Sequence, residues 1–139
     1  PVTWILLLFT WTGKGKFWVT VAVGLNLLNK FVFVVNPYFL KAFYAPLLVW
    51  AINSVLKRTT RRRRPSTANP EIIALVKEEP LMSFPSSHAG STFSFFFILL
   101  WWKFPEAGIF GVWAAVVSFS RLYLGVHFLT DVLVGILVG

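Results

Sequence analysis

Residues 107–139 read AGIFGVWAAVVSFSRLYLGVHFLTDVLVGILVG, two apolar runs separated by a short stretch that carries Arg121, His127 and Asp131. Further apolar runs cover residues 1–11, 17–35, 38–56 and 89–104. A membrane-spanning helix needs about 20 predominantly apolar residues, and charged side chains within such segments are rare. The pattern predicts an all-α, polytopic transmembrane helix bundle, with about six helices in the full chain and a short extramembrane loop.

The composition supports a membrane domain. Of 139 residues, 57% are hydrophobic, 18% are aromatic and only 13% are charged. A soluble core of this length would leave many large apolar side chains in contact with water. We therefore expect residues 1–139 to form a single membrane-embedded domain. Because the apolar runs at the two ends are too short to cross a bilayer, we expect this domain to be incomplete at both ends.

Residues 57–84 interrupt the apolar pattern and are predicted to lie outside the hydrocarbon. Six of the thirteen basic residues lie in the run KRTTRRRR at 57–64, and the segment also contains three prolines and three glutamates. Residues 71–77 are predicted to form a short interfacial helix. The net charge of +8 is thus concentrated in one place. This indicates a local anionic ligand and not a nucleic acid.

Two polar clusters lie in or next to this segment. Lys57 and Arg64 suit phosphate binding, since arginine offers a planar fork of donors and lysine a mobile charge. A basic run at the end of a membrane helix is equally typical of binding to anionic lipid. Ser86, Ser87 and His88 stand at the start of an apolar helix, where serine caps the first turn. The free N–H groups of such a turn also bind anions.

The third cluster is Arg121, His127 and Asp131. His127 and Asp131 are four residues apart, so on a helix they share one face and the carboxylate can hold the imidazole in one tautomer. The chain has two histidines and one aspartate, and all three belong to these clusters. A structural ion pair explains His127 with Asp131 but not His88 beside two serines. If successive helices alternate in direction, the three clusters emerge on the same membrane face.

At these residues the sequence resembles the type 2 phosphatidic acid phosphatase superfamily. The family signature is K-x6-R-P, P-S-G-H and S-R-x5-H-x3-D, and it is matched at 57–65, 85–88 and 120–131. The resemblance extends over just over half of the chain, and the spacing within each motif is intact. One departure is that Ser87 stands where the family usually has glycine. Serine keeps the backbone N–H but requires backbone angles that suit a residue with a Cβ.

The resemblance implies a role for each residue of the motifs. It implies phosphate binding by Lys57, Arg64, Ser86, Ser87 and Arg121. It further implies that His127 attacks phosphorus to form a phosphohistidine, that Asp131 orients His127, and that His88 protonates the leaving oxygen. No metal ion and no cofactor is expected, because three cations and a helix N-terminus can position and neutralise a phosphoryl group.

The implied protein is a metal-independent lipid phosphatase. Its substrate would be a phosphate mono- or diester of a membrane lipid, such as phosphatidic acid, phosphatidylglycerol phosphate, a polyprenyl diphosphate or a lipid A type molecule. The implied location is the cell (inner) membrane, with the active site on the outer or lumenal face. An active site at the membrane surface between apolar helices would suit a phosphorylated head group whose tail stays in the bilayer.

Two other functions are compatible with the sequence. Vanadium-dependent haloperoxidases share the same phosphate pocket, although they are larger and mostly soluble, and halide oxidation with peroxide and vanadate distinguishes them. The second alternative is a non-catalytic membrane protein that binds anionic lipid through the basic residues 57–64. In such a protein, replacement of His127 would change nothing.

Overall fold

The computed structural model describes residues 2–32 and 36–139. In these ranges the regular structure is entirely helical. The helices are α1 (Val2–Thr12), α2 (Gly15–Val32), α3 (Pro37–Ala42), α4 (Tyr44–Thr60), α5 (Pro65–Ala68), α6 (Ser87–Trp101), α7 (Ala107–Tyr123) and α8 (Leu129–Val138). The longer helices follow the predicted apolar runs, which confirms the all-α bundle. The last residues of the predicted run 17–35 lie outside the described residues.

One local prediction needs refinement and another was wrong. The run 38–56 is helical, but it is interrupted at Phe43, because α3 ends at Ala42 and α4 begins at Tyr44. Pro46 explains the break, since it lacks the N–H that would continue the helix. Residues 71–77 form turns and bends and not an interfacial helix. There the Leu75 amide donates to the Leu124 carbonyl at 3.1 Å, so this segment is tied to the end of α7 and not to itself.

Aromatic side chains form the core between α2, α3, α4, α6 and α7. Trp18 and Phe95 are 1% and 2% exposed, and their ring centroids lie 5.2 Å apart. Phe43, at the break between α3 and α4, packs against Phe95 with a centroid distance of 4.8 Å. Rings in such tilted arrangements add to the free energy gained by their burial.

The outer faces of the helices are also apolar. Trp4, Phe31 and Leu137 are 74%, 79% and 84% exposed. Exposed apolar surface on this scale marks contact with lipid or with another protein. Among the described residues, one helical stretch, Pro37–Ala68, is long and apolar enough to cross a membrane, with a mean hydropathy of 1.5. The helices Val2–Thr12, Ala107–Tyr123 and Leu129–Val138 are apolar but shorter.

Two glycines allow the close approaches on which the arrangement of the polar end depends. Gly125 follows α7 with a φ of +69°, a backbone angle that favours glycine, and turns the chain toward α8. Gly135 of α8 lies against the start of α6, where a Cβ at this position would be 2.5 Å from the Ser86 carbonyl oxygen. The backbone of α8 therefore lies directly against the Ser86 N-cap.

We expect Gly135→Ala to destabilise the protein by about 1–3 kcal/mol, because the added methyl group would collide with backbone atoms that cannot rotate away. Thermal unfolding in detergent, followed by circular dichroism, measures the effect. Gly24→Ala is the matched control, since a Cβ on Gly24 meets no atom within 4 Å. In a helix interior that change should add about 0.5–1 kcal/mol of stability. Equal melting temperatures for the two variants would contradict the proposed close packing.

Candidate active site

The structure brings the predicted residues to one polar region between the helices. Five of them line a single cavity of about 320 Å³, and these are Lys57, Arg64, Ser87, His88 and His127. The other three contact this group. Arg121 forms an ion pair with Glu78, which also lines the cavity. Asp131 lies beside His127. The main-chain carbonyl of Asp131 accepts a hydrogen bond from the Ser86 amide at 2.9 Å.

Arg64 lies at the centre of this region and is only 4% exposed. Its Nε donates to the Glu79 carbonyl at 2.7 Å, and its Nη1 donates to the Val126 carbonyl at 2.7 Å. The same Nη1 lies 3.2 Å from His127 Nε2. Because a guanidinium group can only donate hydrogen bonds, Nε2 must be the unprotonated ring nitrogen. The contact thus assigns the His127 proton to Nδ1.

The other side of the His127 ring faces Asp131. His127 Nδ1 lies 3.5 Å from Asp131 Oδ2, so the neutral ring faces the carboxylate at a distance slightly longer than an ordinary hydrogen bond. Asp131 has no exposed surface. Its Oδ2 accepts from the Ser83 hydroxyl and from the Phe128 amide, and its Oδ1 accepts from Arg62 Nη1 at 2.7 Å. With three donors, the carboxylate is held ionised in the orientation that favours a proton on His127 Nδ1.

The start of α6 presents His88 and the free amides of a first helical turn. His88 Nε2 is buried and has no hydrogen-bond partner among the described residues. Its ring packs against Gly13, where a Cβ would lie 2.7 Å from His88 Cδ2. Ser87 is the first residue of α6 and is not among the described residues with positive φ. Its backbone therefore has no need of glycine, and Ser87 is accommodated in place of it.

Lys57 projects from the last turn of α4 toward the chain just before α6. Its Nζ donates to the Met82 carbonyl at 2.8 Å and to the Ser83 carbonyl at 3.3 Å. Lys57 therefore fixes the irregular segment that leads into α6. These are its two hydrogen bonds to the described residues, which leaves a third ammonium hydrogen for a ligand in the cavity.

Glu78 was not predicted from the sequence to belong to this region. Its Oε1 lies 2.6 Å from Arg121 Nη2 and its Oε2 lies 3.4 Å from Arg64 Nη2. Burial alone would raise the pKa of Glu78, but the charges of Arg121 and Arg64 outweigh burial and hold the pKa below its ordinary value. The sequence held one indication of this role. A buried arginine requires an anionic partner, and the glutamates nearest to Arg64 in sequence lie in the same loop.

Three further residues of the region were also missed. Arg62 bonds to Asp131 and lies 4.6 Å from the centre of the Phe128 ring. Ser83 donates to Asp131, and Thr10 of α1 accepts from Arg121 Nη1 at 2.6 Å. Arg62 could not be distinguished by sequence from the other arginines of the basic run. Ser83 and Thr10 belong to none of the three motifs, so their roles were not predictable either.

The ion pairs of Glu78 predict a specific pH dependence of stability. Since the folded pKa of Glu78 lies below the ordinary value of 4.5, its contribution is complete above pH 4.5 and is lost as the pH falls through the lower folded value. We expect Glu78→Gln to lower the melting temperature at pH 7, and we expect the difference from the unaltered chain to shrink as the pH falls below 4.5. Glu71→Gln, at an exposed position in the same loop, is the control. A gap between Glu78→Gln and the unaltered chain that persists undiminished in acid would contradict the assignment.

The sequence model of the PAP2 superfamily matches residues 38–139. The decaprenylphosphoryl-5-phosphoribose phosphatase of Mycobacterium tuberculosis is 37% identical over 89 residues, which cover 64% of this chain and 48% of that protein. The lipid A 4'-phosphatase of Bacteroides thetaiotaomicron is 34% identical over 94 residues, which cover 63% of this chain and 42% of that protein. The chain thus spans about half the length of the curated relatives it matches.

The fold is also found in a solved structure. The crystal structure of the first transmembrane PAP2 type phosphatidylglycerolphosphate phosphatase from Bacillus subtilis superposes with a TM-score of 0.68 and 26% sequence identity. The superposition covers 99% of this chain and 72% of that one. The likeness extends from α1 to α8 and is therefore a likeness of the whole described bundle.

Proposed function

Because this chain belongs to the PAP2 superfamily, we propose that it is a membrane-embedded phosphatase that hydrolyses lipid phosphates without a metal ion. The observation that carries the proposal is the environment of His127. One ring nitrogen faces the ionised Asp131, and the other, unprotonated, faces the cavity beside Arg64. A histidine held in this tautomer next to a cationic phosphate site has the properties of a nucleophile.

In the proposed reaction, phosphate oxygens bind Lys57, Arg64, Arg121 and the first-turn amides of α6, including those of Ser87 and His88. The Ser86 N-cap positions that turn. The cations neutralise the equatorial oxygens, which is the main requirement of phosphoryl transfer.

His127 Nε2 then attacks phosphorus, and the bond from phosphorus to the lipid oxygen breaks. His88 supplies the proton to the leaving oxygen. In the second step water attacks the phosphohistidine, His88 takes a proton from that water, and the phosphorus to nitrogen bond breaks to release phosphate. Asp131 stabilises the positive charge that His127 carries in the intermediate.

A second cavity supports a lipid substrate. It has a volume of about 350 Å³ and is lined almost entirely by apolar side chains, which are Phe17, Trp18, Val21, Phe43, Phe95, Ile109, Phe110 and Trp113 together with Thr12. Thr12 is followed in the chain by Gly13, which lines the polar cavity. The two cavities are therefore neighbours at the end of α1, an arrangement that suits a polar head with an apolar chain.

The relatives support the same substrate class. Their names describe phosphatases of a decaprenyl-linked sugar phosphate, of lipid A and of phosphatidylglycerolphosphate. We propose a lipid mono- or diphosphate of this kind as the substrate. We also propose that residues 1–139 belong to one catalytic domain in the cell (inner) membrane, with the active site on the outer or lumenal face. The motif resemblance supports this placement.

His127→Ala should lower turnover of a lipid phosphate by at least about 1,000-fold, as removal of a nucleophile does in other covalent mechanisms. Binding of inorganic phosphate, measured by isothermal titration, should persist because the cations remain. EDTA should leave the activity of the unaltered chain unchanged. Full activity of His127→Ala would refute the assignment of His127 as the nucleophile. It is the result expected if the chain were a non-catalytic lipid binder and the activity came from a contaminating enzyme. Loss of activity in EDTA would refute the metal-free reaction.

Trp113→Ala should raise KM for a long-chain lipid phosphate by roughly tenfold, the equivalent of losing contact with about two methylene groups. The KM for a short-chain soluble phosphate ester should change little. Trp101→Ala is the matched control, because Trp101 is 80% exposed and does not line this cavity. Hydrolysis of soluble esters alone, with none of long-chain lipids in detergent, would overturn the lipid assignment.

A further inference from the structure

We infer that Lys14 binds a second phosphate of the substrate, the one that leaves with the lipid. This inference rests on the proposed function and names its substrate class, a lipid whose head group carries two phosphates. The distal phosphate is transferred to His127, and the proximal phosphate stays on the lipid. Lys14 belongs to none of the three motifs, and the proposed reaction gives it no other role.

Two glycines place Lys14 at the wall of the polar cavity. Gly13, Lys14 and Gly15 connect α1 to α2, and all three line this cavity. A Cβ on Gly13 would lie 2.7 Å from His88 Cδ2, and a Cβ on Gly15 would lie 2.5 Å from the indole nitrogen of Trp50. Neither position has room for a side chain, so the backbone itself contacts the wall. Lys14 is the residue of this turn that offers a side chain to the cavity.

Lys14 lies on the leaving-group side of the bound phosphate. Gly13, the residue before it, packs against the ring of His88, which protonates the leaving oxygen in the proposed reaction. Thr12 and Phe17, on either side of the turn, line the apolar cavity proposed for the lipid chain. The substrate must therefore run from His88 past this turn into the apolar cavity. The atoms just beyond the leaving oxygen then lie next to Lys14.

The positive charge of Lys14 is available to a ligand. Its side chain is exposed, and it forms no ion pair within residues 2–32 and 36–139. Lys77, also exposed, is a further cation of the cavity wall. Two carboxylates line the same cavity, of which Glu78 is paired with buried arginines and Glu79 is exposed. With the two motif cations, the wall carries four basic side chains against two carboxylates, so it favours a head group with more than one anionic group.

The charge of the leaving group decides whether Lys14 contributes to binding. A lipid alcohol is neutral beyond its leaving oxygen, so a lysine next to it has no anionic partner. A leaving group with its own phosphate brings a negative charge to this place and gains a charge-assisted hydrogen bond. When the bond from the distal phosphorus to the leaving oxygen breaks, that oxygen keeps the electron pair and His88 supplies its proton. A nearby cation stabilises the charge that develops there.

Two kinds of head group share this chemistry. In a lipid diphosphate, the leaving oxygen belongs to the second phosphate itself. In a lipid whose two phosphates are joined through glycerol, the second phosphate lies beyond a three-carbon link. The flexible stem of a lysine allows its ammonium group to reach either position. The substrates of the test distinguish the two.

The first test measures kcat/KM of the full chain in detergent for a polyprenyl diphosphate, for phosphatidylglycerolphosphate and for phosphatidic acid, which has a single phosphate. Lys14→Gln should lower kcat/KM about fivefold for at least one of the two-phosphate lipids and leave that for phosphatidic acid unchanged. The lipid with the larger fall identifies the head group. Lys14→Arg keeps the charge and should keep kcat/KM for that lipid.

The matched control is Lys16→Gln. It removes the same charge two residues further along the chain, at an exposed position that does not line the cavity. Its kcat/KM should equal that of the unaltered chain for all three lipids. This control separates a contact with the second phosphate from a general loss of positive charge at this end of the molecule.

Binding gives a second readout that does not depend on turnover. Isothermal titration compares methylphosphonate with two bisphosphonates, methylenediphosphonate for the diphosphate and pentane-1,5-diyl diphosphonate for the glycerol-linked head group. The unaltered chain should bind one of the bisphosphonates more tightly than methylphosphonate. Lys14→Gln should weaken that binding about fivefold and leave the binding of methylphosphonate unchanged.

An equal fall in kcat/KM for all three lipids, or no fall for either two-phosphate lipid, overturns the inference. Turnover of phosphatidic acid alone also overturns it. If the unaltered chain releases no phosphate from any lipid, the proposed function fails, and the titrations still decide whether Lys14 binds a second phosphate. The two failures are thus distinguishable.

Discussion

The carboxylate of Asp131 is the interaction on which the polar end of this molecule depends. It has no exposed surface, and an unpaired charge in such a place would be prohibitively unfavourable. Its donors come from Arg62 after α4, from Ser83 before α6 and from the Phe128 amide at the start of α8. Three segments that are distant in sequence must therefore meet before this charge is satisfied. The fold and the predicted site form together.

The predicted phosphate-binding cations also contribute both to the fold and to the predicted site. Lys57 is bonded to the carbonyls of residues 82 and 83, and Arg64 is bonded to carbonyls on both the loop and the chain before α8. Each long side chain thus joins a helix end to a loop that has no regular structure of its own. Because these bonds use most of the Arg64 donors, the guanidinium plane of Arg64 is fixed before any ligand arrives. A preorganised site of this kind loses little conformational entropy on binding.

The sequence was sufficient to predict the helices and the three clusters, because both depend on local patterns. Apolar runs specify helices in a membrane, and a spacing of four residues places His127 and Asp131 on one face. The partners of those residues were not predictable in the same way. Seven basic residues and three glutamates lie between residues 57 and 84, and the choice of Arg62 for Asp131 and of Glu78 for Arg121 depends on the path of the backbone. That path is set by tertiary bonds such as that from Leu75 to Leu124, which also prevented the predicted helix at 71–77.

The position of Arg64 links substrate binding to activation of the proposed nucleophile. One of its terminal nitrogens contacts Glu78 and the other contacts the lone pair of His127 Nε2. While that lone pair is engaged by a cation, the imidazole is a poor nucleophile. A phosphate that binds Arg64 offers its donors more negative partners and draws them away from both groups at once. In the proposed reaction, the lone pair of His127 Nε2 is thus released when a phosphate has bound Arg64, so that phosphorus is in place to receive the nucleophile.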